Sequence, residues 1–137
     1  MKKTIASQWV AGILLFASGV ATGLLAQNST DSPQRVEQKR TDLSGASGME
    51  VIASISEYKV GDSLGLHSHH GVEMVYVMQG AKVQPPGKEP SLLPTGATLM
   101  NLRDVKHAGW TVVGDSSLKL FTVHVVDKGK PLYEFSN

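Results

Sequence analysis

Three residues in the segment 61–80 have side chains of the kinds that bind metal ions, namely His67, His69 and Glu73. His67 and His69 are separated by one residue, so on a β-strand both imidazoles point to the same face. Glu73 follows in a second apolar run, and Gly71 between them allows the chain to turn. A hairpin folded there brings the Glu73 carboxylate back toward the two imidazoles. Neutral imidazole nitrogens and one anionic oxygen suit a divalent metal ion, so this segment predicts part of a metal site.

The other histidines differ in how they can join this cluster. His107 comes just before a predicted strand, where it can meet the cluster across a closed barrel. Three imidazoles and one carboxylate leave two open positions on an ion that prefers six ligands. His70 is out of phase with the pair and is expected to face solvent or the barrel mouth. The alternative is that the whole group lies in an exposed polar loop and binds nothing.

The elements that must position these residues are predicted to be short strands. Alternating apolar and polar residues between turn signals predict strands over 49–60, 64–69, 73–78, 97–102, 110–113 and 118–126. Residues 82–94 contain four prolines and predict a loop with at most a fragment of an edge strand. This spacing of strands predicts an all-β sandwich or barrel. In the last strand His124 shares a face with Leu118 and Leu120, so we expect it to support the site rather than to bind the ion.

Composition narrows the possible functions. The chain has 137 residues, a net charge of +1 and no cysteine, so it predicts one domain without disulfides, thiolate metal sites or a cysteine nucleophile. It has no basic block with interleaved aromatic residues, so we expect no nucleic-acid partner. No Ser-His-Asp set, phosphate loop or pair of catalytic acids stands out. Any catalysis is therefore expected to depend on the metal.

The N-terminus resembles a targeting segment. Lys2 and Lys3 precede residues 9–26, which carry no charge and are rich in small and apolar residues. This pattern predicts a secretory signal peptide over 1–26, and hence a periplasmic or secreted protein. The alternative is an uncleaved anchor, which would be the chain's one contact with a membrane. Residues 27–40 are polar and predict a linker, followed by the folded domain over 41–137.

The histidine segment resembles the first motif of the cupin superfamily. That motif places Gly61, His67, His69, Glu73 and Gly80 at matching separations. The second cupin motif is matched at Gly96 and His107. It departs from the pattern at three positions, where the family has proline, glycine and asparagine and this chain has Leu102, Asp104 and Thr111.

The resemblance implies a single-domain antiparallel jelly-roll β-barrel with one metal ion inside. By family position the ligands are His67, His69, Glu73 and His107. The cofactor implied is one divalent transition metal, which leaves Mn, Fe, Co, Ni, Cu and Zn open. Cupins include enzymes and binding modules, so the fold does not choose between them.

Two functions therefore stay open. The first is a metal-binding cupin that takes a small-molecule ligand. The second is a metal-dependent enzyme, dioxygenase-like or isomerase-like, that acts on a small oxygenated substrate with Glu73 as a possible base. The face that carries Phe121, Val123 and Val125 predicts a homodimer.

Overall fold

The computed structural model describes residues 31–136, and all the regular elements among them are β-strands. Within this part of the chain no helix has the length and hydropathy needed to cross a membrane. The strands, in chain order, are β1 Arg35–Asp42, β2 Met49–Tyr58, β3 Ser63–Ser68, β4 Gly71–Gln79, β5 Ala81–Gln84, β6 Ser91–Leu93, β7 Thr98–Asn101, β8 His107–Val113, β9 Leu118–Asp127 and β10 Glu134–Phe135.

The strands form two five-stranded antiparallel sheets. The first has the order β1-β2-β9-β4-β7, and the second has the order β10-β3-β8-β5-β6. Apolar side chains from both sheets are buried against one another, which places the core between them. The predicted all-β jelly-roll architecture is confirmed.

Strand register brings the candidate site residues into two rows. In the first sheet Glu73 of β4 lies opposite Asn101 of β7 on one side and His124 of β9 on the other. In the second sheet His67 of β3 lies opposite His107 of β8. Side chains that are directly opposite on adjacent strands share a face of the sheet. The two rows therefore face each other across the barrel interior.

The six predicted strands are confirmed in position. Strands β1 and β10 were not predicted, and the region in which a fragment of an edge strand was allowed forms two strands, β5 and β6. Strands β5 and β6 lie within residues 82–94 or at their border, and the prolines there flank them without interrupting them. Strand β10 is only two residues long and pairs with β3 at His67 and Ser68.

The prediction of a linker over 27–40 is wrong for residues 35–40, which belong to β1. This strand pairs with β2 along its length, although most of its side chains are exposed. Its stability comes from backbone hydrogen bonds and from polar contacts across the pair. Nη1 of Arg40 donates to Glu50 at 2.7 Å, and Nη1 of Arg35 donates to Ser54 at 2.7 Å. The signal peptide predicted over 1–26 lies outside the described residues.

Two glycines of the segment 61–80 are required because other backbone atoms approach them closely. A Cβ atom on Gly71 would lie 2.1 Å from the carbonyl oxygen of Val125 on the neighbouring strand β9. A Cβ atom on Gly80 would lie 2.6 Å from the carbonyl oxygen of Leu93. Cβ atoms essentially never lie this close to another atom, so any side chain at either position would force the neighbouring backbone to move.

We predict that Gly71→Ala lowers the free energy of unfolding by about 3 kcal/mol, because the new methyl group overlaps the backbone of β9. The matched control is Gly129→Ala, where φ is +76° and no atom lies within 4 Å of the new Cβ. The control suffers only the strain of the left-handed backbone, about 1 kcal/mol. Urea denaturation of both variants checks this, and equal losses of stability would contradict it.

Candidate metal centre

The two rows of side chains converge on one point inside the barrel. His67, His69 and His107 each bring a ring nitrogen within 4.8 Å of the others. Nε2 of His69 lies 3.2 Å from Nε2 of His107. Oε2 of Glu73 lies 3.4 Å from Nε2 of His69 and 3.3 Å from Nε2 of His107. All four residues implied by the family resemblance therefore meet at this point.

Backbone carbonyls set the tautomer of the three histidines. Nδ1 of His67 lies 2.8 Å from the carbonyl oxygen of Gly65, and Nδ1 of His107 lies 2.9 Å from that of Val105. Nδ1 of His69 bonds to the carbonyl oxygen of Leu132. A carbonyl can only accept, so each Nδ1 carries the hydrogen and donates it. In the neutral imidazoles each Nε2 is then left with a lone pair, as metal-binding histidines require.

This arrangement is electrostatically unfavourable without a cation. Two Nε2 lone pairs at 3.2 Å, with a carboxylate oxygen beside them, repel one another. A proton or a metal ion between them removes the repulsion. The Glu73 contact raises the pKa of His107 above its ordinary value despite the opposing effect of burial. The donor set of three imidazole nitrogens and one carboxylate fits a divalent transition metal.

The carboxylate of Glu73 is buried and held from two sides. Nδ2 of Asn101 donates to its Oε2 at 2.6 Å. Nε2 of His124 lies 3.2 Å from its Oε1. Burial disfavours the charged form, but the close contacts with His107, His124 and His69 outweigh it and hold the pKa of Glu73 well below its ordinary value. The carboxylate is therefore ionised at neutral pH.

His124 is fully buried and points at this carboxylate from behind. Its Nε2 lies 3.2 Å from Oε1 of Glu73 without making a hydrogen bond to it. Neither of its ring nitrogens has a hydrogen-bond partner among residues 31–136. Burial lowers the pKa of the ring, so it is neutral. With His69 and Glu73 it forms a second buried group of three potential ligands, which overlaps the first.

The remaining residues that the sequence singled out lie outside the cluster. His70 is partly exposed, with Nδ1 at 3.3 Å from Asp104 and Nε2 at 3.1 Å from Glu134. Sequence reasoning missed Asn101 and Leu132. Register could have pointed to Asn101, because it lies within a predicted strand. Leu132 contributes only its backbone carbonyl, for which a sequence carries no signal.

One departure from the second cupin motif has a structural explanation. Asp104, which replaces a glycine of the motif, has φ of +59°. Asp tolerates this left-handed conformation better than most residues. Its N–H donates to the carbonyl of His69 at 2.9 Å, so the turn before His107 is tied to another ligand. Ala108, directly after His107, also has a positive φ of 62°, a strained value for alanine.

A cavity of about 260 Å³ adjoins the cluster. His67, Glu73, Asn101 and His107 line it at one end, whereas apolar side chains line the rest. A ligand in this cavity would be within reach of an ion held by the histidines. The candidate metal centre therefore adjoins a small, mostly apolar cavity.

No model of a known protein family matches this sequence, and no curated protein matches it. Solved structures do match. An uncharacterised conserved protein of Klebsiella pneumoniae with a double-stranded β-helix domain is 13% identical. The TM-score is 0.54, and the match covers 78% of this chain and 88% of that one. This protein has the cupin fold. The fold implied by the two sequence motifs is thereby confirmed.

Two enzymes share this cupin fold at similar distance. The DMSP lyase DddQ of Ruegeria pomeroyi is 16% identical, with a TM-score of 0.50 over 63% of this chain. The chain spans only 43% of the length of that lyase. The polyketide cyclase RemF of Streptomyces resistomycificus is 15% identical, with a TM-score of 0.50 over 68% of this chain and 75% of that one. Identities this low establish a shared fold and not a shared activity.

We predict that Asn101→Leu weakens metal binding by roughly 10- to 100-fold, because Glu73 loses the donor that orients its Oε2. Leucine has a similar size, so the fold should persist. Thr98→Val, an exposed substitution on the same strand, is the control and should leave metal affinity unchanged. Competition titration against a metal chelator measures both. Equal affinities for Asn101→Leu and the control would show that the hydrogen bond has no effect on the site.

Proposed function

We propose that the protein binds one divalent transition-metal ion through His67, His69, Glu73 and His107, and that the ion binds a small-molecule ligand from the adjoining cavity. The observation that carries this proposal is the convergence of Nε2 lone pairs, with every Nδ1 committed to a backbone carbonyl. Buried atoms that turn lone pairs toward one another repel, and a cation between them removes this repulsion. The proposed ion is that cation.

The donor set limits the kind of ion. Imidazole nitrogens favour transition metals over Mg²⁺ or Ca²⁺, which prefer oxygen ligands. The ionised Glu73 neutralises one of the two positive charges. Ions of Mn, Fe, Co, Ni, Cu and Zn all bind such a donor set, so the donor set specifies a transition metal and not the element. Four protein ligands leave room for a ligand on the side that faces the cavity.

The second candidate function is a metal-dependent enzyme. It is favoured by the cavity, which shares His67, Glu73 and His107 with the site and therefore brings a bound molecule to the ion. When bound, such an ion acts as a Lewis acid that polarises an oxygen of the substrate. Glu73 was a possible base, but a carboxylate with a lowered pKa is a weak proton acceptor. The enzyme hypothesis therefore depends on polarisation more than on Glu73.

We predict one equivalent of metal per chain, and its loss in His67→Ala/His107→Ala, because the variant removes two of four donors. Elemental analysis after gel filtration measures both. His70→Ala is the matched control, since this histidine adjoins the site but faces Asp104 and Glu134. It should keep the full equivalent. Metal retained by the double variant, or lost from the control, would contradict the proposed ligands.

Metal removal supplies a second readout of the same site. A ligand that binds only the folded state stabilises it by mass action, by about 2.7 kcal/mol at a concentration 100 times its Kd. We expect metal to raise the unfolding temperature of the wild type and of His70→Ala. The double variant should show no such rise, even if it is folded. An equal rise in all three proteins would place the metal elsewhere.

Turnover distinguishes the two candidate functions. A metal-dependent enzyme should convert a small oxygenated substrate, or consume oxygen with it, and His67→Ala/His107→Ala should abolish this because it removes the ion that polarises the substrate. His70→Ala should keep the activity. A binding protein should retain a ligand stoichiometrically and convert none of the compounds in a broad screen. Turnover that is unchanged in His67→Ala/His107→Ala would separate the activity from this site.

Export and self-association stay predictions. The signal peptide would place the protein in the periplasm or outside the cell.

For a homodimer, the predicted face includes Phe121, which is 36% exposed. The outward side chains Met74 and Tyr76 on the neighbouring strand extend this face. Sedimentation velocity over a range of concentrations tests the dimer, and a single monomer boundary throughout would exclude it.

A further inference from the structure

The cavity beside the candidate metal centre has walls of two chemical kinds. The polar side chains are gathered at the metal end. The remaining wall is apolar and is built from strands of both sheets. It includes Leu64, Val75, Val83, Leu99, Trp110 and Leu120.

Few charged side chains line this cavity. Glu73 is the one carboxylate among the described residues that line the cavity, and no lysine or arginine lines it. A second anionic group on a ligand would therefore lie against hydrocarbon with no counter-charge. An unpaired buried charge is strongly disfavoured. The wall also offers few donors or acceptors beyond the metal end, which disfavours a ligand rich in hydroxyl groups.

The volume limits the size of the ligand. About 260 Å³ corresponds to roughly nine water molecules at about 30 Å³ each. A ligand of about ten non-hydrogen atoms fills this space. Sugars bearing phosphates and long polar chains are too large as well as too polar.

From these observations we infer that the site takes a small molecule with one metal-binding oxygen head group and an uncharged, apolar tail. The inference rests on the proposed metal centre. The head group meets the ion between His67, Glu73 and His107, and the tail occupies the apolar chamber. Dicarboxylates and phosphorylated compounds are excluded by the lack of a second cation.

The position of Leu99 marks the entrance to the chamber. Leu64, Val75, Val83 and Leu120 are all under 10% exposed, whereas Leu99 on the edge strand β7 is 43% exposed. The tail of the ligand therefore passes Leu99 on entry. Leu99 lies opposite Val75, two residues along β7 from Asn101, so a charge introduced here would line the chamber beside the metal end without being buried in the core.

The test uses three hydroxamates with the same metal-binding head and different tails. The full chain is loaded with Co²⁺, and binding is followed through the cobalt absorption band. Acetohydroxamate has almost no tail, 4-methylpentanohydroxamate has an apolar tail, and succinic monohydroxamate has a carboxylate tail of the same shape. Each buried methylene strengthens binding roughly fourfold. We expect the apolar tail to bind at least tenfold tighter than acetohydroxamate, and the carboxylate tail to bind no tighter than acetohydroxamate.

A pair of variants connects this preference to the chamber. Leu99→Arg places a guanidinium at the entrance and should strengthen binding of succinic monohydroxamate at least tenfold, while it weakens binding of the apolar probe. Leu92→Arg is the matched control, because Leu92 is 66% exposed on β6 and does not line the cavity. It should leave all three affinities unchanged.

Each failure has a distinct cause. If the full chain binds no cobalt, both the proposed metal centre and the inferred ligand class are wrong. If cobalt binds but the carboxylate tail equals or exceeds the apolar tail in wild type, only the ligand class is overturned. The same holds if Leu99→Arg changes no affinity, or if Leu92→Arg changes them equally. Elemental analysis after each titration confirms that the probes have not removed the cobalt.

Discussion

A buried carboxylate among four imidazoles is the constraint on which the rest of the site depends. Glu73 is ionised inside the barrel, and its charge is tolerated because His69, His107, His124 and Asn101 all approach its two oxygens. The same charge makes the cluster suitable for a cation, since the histidine lone pairs face it directly. An apolar residue in place of Glu73 would leave the imidazoles facing one another without compensation. The carboxylate therefore organises the candidate ligands and would balance part of the charge of an ion.

Each of the two sheets carries a different part of this cluster of side chains. The first sheet carries the acid and its two supports on three adjacent strands, so their spacing is set by the hydrogen-bonded ladder. The second sheet carries His67 and His107 on another adjacent pair. Packing of the two sheets then sets the distance from Glu73 to His67 and His107. Gly71 matters here because its contact with β9 lies two residues from Glu73.

The sequence predicted the all-β class and most of the strands because alternation is a local signal. The four converging residues were implied by the resemblance to the cupin motifs. It could not predict the long-range contacts. Strict alternation from His107 places Gly109 inside the barrel and Trp110 outside, yet Trp110 lines the cavity. The cause is the pair of left-handed residues Ala108 and Gly109, which shifts the alternation within β8. Strand β1 was missed because its side chains are polar, and its stability comes from backbone pairing that composition does not reveal.

The bond from His69 to Leu132 sets an order of events during synthesis. The two residues are 63 positions apart, so the imidazole emerges long before the carbonyl that orients it. Until Leu132 follows, nothing determines which nitrogen of His69 carries the hydrogen. The aromatic side chain of Tyr133, which packs against His67 and His69, arrives at the same late stage. A nascent chain can therefore hold the four candidate ligand residues and still lack the contacts that fix their geometry.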